Sequence, residues 1–108
     1  MTYLDTLHSL HAQRRVWAGK PDVSAFERVN LAYQIADART RLGTLQTEAE
    51  RLRRSVLRRK GRPMQGDAKR AFEDDRARGK FLVHTDIPLA TDWLTALEGR
   101  LEVGLKPK

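Results

Sequence analysis

The chain contains no cysteine. That absence excludes disulfides, thiolate nucleophiles and cysteine-ligated zinc or iron–sulfur sites, and it suits a reducing compartment. No apolar run approaches the roughly 18 residues of a membrane span. The start, Met1-Thr2-Tyr3-Leu4-Asp5, lacks the basic-then-apolar order of a secretory signal. A soluble cytoplasmic protein with no membrane partner is therefore expected. Aromatic residues are scarce, at 6%, and none stands among the arginines described below, which disfavours base stacking on single strands.

Chemistry-bearing motifs are equally sparse. The Gly61–Gly66 loop has no lysine where a phosphate-cradling loop needs one. Helix-turn-helix, zinc-finger and ribonucleoprotein signatures are missing. His8 and His11 have a spacing that can present two metal ligands on a helix, and His84 with Asp86 can supply more, but nothing in the sequence brings these segments together. On an extended strand His84 and Asp86 share a face, which permits an acid–base pair without supplying a pocket for it. Glu73-Asp74-Asp75 reads as a solvated acidic patch. The expectation is a non-enzymatic protein without catalytic residues, metal or cofactor.

Positive charge is what the chain does have. The formal net charge is +7 and the pI is about 10.4. Seven basic residues, Arg51, Arg53, Arg54, Arg58, Arg59, Lys60 and Arg62, fall in one segment without an acidic residue, whereas the remainder carries 14 basic and 14 acidic residues. The whole net charge is thus assignable to a single stretch. A field focused in this way attracts polyanions or an acidic protein face, and arginine forks suit phosphate oxygens.

The chain is one domain's length. Glycine and proline divide it at Gly19-Lys20-Pro21-Asp22, Gly61 to Asp67, Gly79 and Pro88. A first helix is expected over 3–18, with Leu4, Leu7, Leu10 or His11, and Trp17 near helical spacing. Ser24 and Glu27 have the spacing of a capping box and open the strongest helical signal. Apolar residues then recur at Leu31, Ile35, Ala38, Leu42, Leu45, Ala49, Leu52 and Val56, in alternating steps of four and three. That 3.5-residue period keeps one stripe facing a partner helix. Gly43 lies mid-helix on an outer position, where glycine costs about 1 kcal/mol relative to alanine. A helix over 24–60 measures about 54 Å, longer than a compact globule of this size covers. The reading therefore requires either a break near Gly43 or self-association through the seam.

Beyond the loop, 67–78 reads as a short polar helix capped by Asp67 and ended by Gly79, with Phe72 as its anchor. Lys80 to Ile87 reads as a short strand, paired either with Leu101–Leu105 or with a second chain. Pro88 begins a last helix with Trp93, Leu94, Leu97 and Leu101 on its apolar face, closed by Gly99.

The expected fold class is mainly α: a long coiled-coil-like central helix in a helical hairpin or bundle, with a strand pair near the C-terminus. As a single domain over 1–108 it divides into a helical hairpin with the seam (1–60), a loop (61–66) and a small C-terminal α or α+β subregion (67–108). Two functions fit. In the first, a homo-oligomer contacts nucleic-acid backbone through the 51–62 cluster. In the second, the basic helix docks on an acidic protein surface as an inhibitor, adaptor or assembly factor, by analogy with small phage and plasmid proteins.

Overall fold

A computed structural model describes residues 3–20 and 22–105. The Met1-Thr2 start, Pro21 of the first turn and residues 106–108 lie outside it, as do the side chains of Tyr3, Leu4 and Leu105. The described residues are mainly helical: α1 (Tyr3–Ala18), α2 (Ala25–Arg59), α3 (Asp67–Phe81), a π-helical turn (Leu82–Asp86) and α4 (Ile87–Leu105). No helix among them is long and apolar enough to cross a membrane.

The molecule is a rod, 64 × 20 × 16 Å with a radius of gyration of 18.7 Å. A compact chain of this length has about 13 Å. The width of 20 Å is that of two helices side by side. One is α2, unbroken through Gly43 over 35 residues. The other is α3, the π turn and α4, which keep helical dihedrals across both junctions and so form one continuous arm about 58 Å long. The two run antiparallel, since Arg59 meets Asp75 at one end and Glu27 meets Arg100 at the other.

The expected strand over 80–87 is therefore replaced by helix, as is its proposed partner at 101–105, and no strand occurs among the described residues. Pro88 explains the irregularity. A proline inside a helix lacks an N–H and crowds the carbonyl four residues back. Here the turn before it widens, and the Ile87 N–H bonds to the Leu82 carbonyl five residues back. A π turn of this kind lets the helix pass the proline without stopping. Gly79 and Gly99 lie inside helices rather than at their ends. Gly66, not Asp67, caps α3, and Asp67 stands in its first turn, where the helix dipole favours an acid.

The hairpin turn follows from its glycines. Gly61 and Gly66 adopt positive φ, 81° and 59°, a region that costs glycine little. The bend returns the second arm along the seam of α2. Leu31, Ile35, Ala38, Leu45 and Leu52 are buried, while Leu42, Ala49 and Val56 are half-buried. Leu31, Ile35 and Ala38 pack with Leu97, and Leu45 and Leu52 pack with Leu82 and Ala90. The seam assigned to self-association is thus covered by the same chain. The length of α2 is covered without a break at Gly43 because the second arm is itself a full-length helix.

The predicted 1–60 hairpin is also re-paired: α2 folds against α3 and α4, and α1 lies along α4. Leu10 is buried on α1, and Trp17 and Val23 pack on the Leu31–Leu97 cluster. The Ser24 cap forms as expected, its Oγ accepting from the Glu27 N–H at 3.1 Å. Glu27 takes a different role. Its carboxylate accepts from Arg100 Nε at 2.9 Å, and Arg100, 7% exposed, also donates to the Asp22 carbonyl and lies over the Trp17 ring. This pair ties α1, α2 and α4 together at one end of the rod. A Cβ on Gly104 would stand 2.7 Å from Val23 Cβ, so only glycine admits the α1–α2 linker so close to α4.

Candidate nucleic-acid interface

The basic cluster occupies the opposite end, on the last turns of α2 and the loop after it. Helical geometry distributes it around the rod. Arg51 and Arg58 lie on one flank of α2, Arg53 and Lys60 on the other, and Arg54 on the outer face between them. The helix C-terminus adds its own negative dipole end, which holds cations favourably.

The seven residues fall into three groups. Arg59 points inward along the seam and is half-buried. It donates to Asp75, to the Ser55 carbonyl and to Ser55 Oγ, and it stacks on the Phe72 ring with 5.5 Å to its centroid. It is a strut between α2 and α3, and its charge is spent within the chain. Arg53 and Arg54 share one carboxylate: Arg53 reaches Glu50 through Nε at 2.9 Å and a terminal nitrogen at 2.6 Å, and Arg54 through Nε at 3.0 Å. The Arg53 hydrogen bond, with that of Arg54, pulls the Glu50 carboxyl from 4.5 down to about 2, and the Arg53 guanidinium is raised in turn. Both arginines stay largely open to solvent. Arg51, Arg58, Lys60 and Arg62 are exposed and make no ion pair among the described residues. Lys69 and Arg70, exposed in the first turn of α3, stand beside them.

Other sequence candidates disperse. His8, His11 and His84 are all exposed, and no group of three or more metal-ligating side chains converges among the described residues. Asp86 accepts from Arg78 at 3.4 Å, so Arg78 is the partner that the structure gives it. Arg78 also reaches Glu48 and packs on Phe81.

One feature escaped the sequence reading. A groove of about 400 Å³ runs between α2 and the second arm near the tip, lined by Ala49, Leu52, Val56, Val83 and Ile87, with Leu57, Arg53, Arg76 and Lys80 at its edges. Gly79, Val83 and Ile87 recur at four-residue steps, a helical signal hidden once 80–87 is read as strand.

The fold and this end define a class: an antiparallel helical hairpin with a cationic tip. Comparison with family models, with curated proteins and with solved structures finds no match for the chain.

Proposed function

We propose that this chain is a small, non-enzymatic nucleic-acid-binding accessory protein that holds backbone phosphates with the tip of its hairpin. One observation carries the reading: Arg51, Arg58, Lys60 and Arg62 are exposed on the last turns of α2 and the loop after it, and no carboxylate among the described residues pairs with them. Arg53 and Arg54 add a second tier, sharing one acid between two cations. Phosphate contacts position a protein without reading bases. Phe72, the one ring at the tip among the described residues, is covered by Arg59, so sequence selectivity is expected to be small. A cysteine-free chain of this kind suits work in the cytoplasm.

Counterion release makes the test quantitative. About four phosphate contacts imply a fall in affinity of about a hundredfold between 50 and 200 mM salt. Fluorescence anisotropy with a labelled duplex measures it. Arg51→Glu with Arg58→Glu should weaken binding and flatten the salt dependence while leaving the helical content unchanged. Binding that ignores both salt and this double variant removes the tip from the mechanism.

The groove favours a second reading, an acidic amphipathic helix of a protein partner. Its floor is apolar, and the acids beside it, Glu50 and Asp75, are already engaged by arginines, which leaves Arg76 and Lys80 for carboxylates. Val83→Glu separates the two readings: it should abolish peptide binding in the groove and leave duplex binding at the tip intact.

A further inference from the structure

The inner face of α2 is covered by its own chain, and no described residue covers its outer face. Phe26, Val29 and Tyr33 are 82%, 59% and 72% exposed there, and Leu57 is 55% exposed near the other end. These four belong to one stripe. Starting from Phe26, steps of three and four lead through Val29, Tyr33, Ala36, Thr40, Gly43, Thr47, Glu50 and Arg54 to Leu57, the same heptad spacing as the seam but on the opposite side. The middle of the stripe is smooth. Thr40 and Thr47 donate their hydroxyls to their own helix, to the Ala36 and Gly43 carbonyls, at 3.1 and 2.9 Å. A Cβ on Gly43 would meet nothing within 4 Å, so no contact among the described residues accounts for a glycine where alanine is better by about 1 kcal/mol.

The stripe is also a palindrome in size. Reversed about the level midway between Thr40 and Gly43, Phe26 falls opposite Leu57, Val29 opposite Arg54, Tyr33 opposite Glu50 and Ala36 opposite Thr47. Large meets large at the ends and small meets small at the centre. Two helices crossing at about 20° need that distribution, with least bulk where the axes are closest. A surface that is its own complement on reversal suits an isologous two-fold contact.

Charge selects the same arrangement. Parallel pairing would stack Arg51, Arg54 and Arg58 on their equivalents in the second copy. Antiparallel pairing carries the two clusters to opposite ends. It also sets Asp37, exposed and without an ion pair among the described residues, on the same edge as Arg51 of the partner subunit. Their axial offset is about 7.5 Å, and side chains leaning toward their own N-termini close it from both sides. On the other edge, Arg39 faces Gln46 of the partner subunit and Arg53 faces Ala32 of the partner subunit, so no like charges oppose.

We propose that two copies of this chain pair antiparallel through the outer faces of α2, with Thr40 of each seated on Gly43 of the other. This goes beyond the phosphate-binding reading and does not depend on it; pairing would engage Arg51 and cover Arg54, leaving Arg58, Lys60 and Arg62 for phosphate at each tip. The dimer carries one basic tip at each end.

The cysteine-free background provides the test. Under mild oxidation, Ala36→Cys with Thr47→Cys should yield a disulfide-linked dimer, because the two positions face each other across the dyad but stand about 16 Å apart on one helix. Neither single variant should link. Light scattering of the untreated protein should give twice the chain mass, and Gly43→Glu should weaken dimerisation at least about tenfold while the thermal midpoint of the monomer holds or rises. A monomeric wild-type chain, linking by either single variant, or a Gly43→Glu protein that still dimerises would each overturn the proposal.

Discussion

The two faces of α2 share one spacing and differ in what they carry. The inner stripe is leucine, isoleucine and alanine, sunk against the second arm. The outer stripe is aromatic at its start, threonine and glycine in its middle, and charged toward its end. The comparison separates two questions that a heptad pattern merges. Spacing says that a face is built to be covered; bulk and charge along it say what kind of surface covers it. The inner face takes branched side chains from its own chain in a continuous core. The outer face offers close backbone approach, which suits another helix of the same make.

The contrast breaks most sharply at Leu52, which is 2% exposed. Leu52→Ala should cost about 2–5 kcal/mol of unfolding free energy, whereas Val29→Ala on the outer face should change the stability of the isolated monomer by no more than about 0.5 kcal/mol. Denaturant titration at a concentration low enough to hold the chain monomeric compares them. Equal losses would show that the outer face is also packed within the chain.

Somewhat smaller is the effect of unpairing Arg100. Glu27→Ala leaves that buried guanidinium without its carboxylate and should destabilise by about 3 kcal/mol. Part of this comes from the loss of a hydrogen-bonded anchor between α2 and α4. Arg53 and Arg54, exposed at the other end, should show no comparable loss when Glu50 is replaced. Thermal melts of Glu27→Ala and Glu50→Gln make this comparison.

The smallest expected effect is on binding. Glu50→Gln frees Arg53 and Arg54 for phosphate and should tighten duplex binding by a few-fold, with a steeper salt dependence. The pH behaviour follows from the sign of the shift. Glu50 is held at about 2, below its usual 4.5, so its pairing is fully present above pH 4.5 and is lost only as the pH falls toward 2. Acidification from pH 7 to pH 4 should therefore leave Arg53 and Arg54 engaged in the wild-type chain. A rise in affinity over that range, absent from Glu50→Gln, would contradict the pairing.

Much of α2 is legible in the sequence alone. Ser24 announced the cap, the four-three steps announced the buried stripe, and the run of arginines announced a charged end. The failures cluster in the second arm. Pro88, Gly79 and the β-branched content of 80–87 all argue locally against a helix, and local propensity is weak when a long seam lies opposite to be covered. Leu82, which is fully buried, and Ile87 pack on that seam, and the π turn removes the proline's steric objection. Misreading that segment hid the groove and left the seam apparently bare. Arg59 shows the same limit at the tip. In sequence it is one of seven equal cations, and only the return of α3, with Asp75 and Phe72, turns it into a strut.

By itself the sequence determined that helix begins after Ser24, that a stripe from Leu31 to Val56 is apolar, and that the far end is strongly positive, while leaving open whether Gly43 interrupts the helix. Those properties depend on neighbours within a few turns of chain. The tertiary structure decided which surface covers the seam, which cations stay free, and that the arm after the loop is one helix. Each of those outcomes turns on groups far apart in sequence, whose contacts outweigh the local preferences of proline, glycine and β-branched residues.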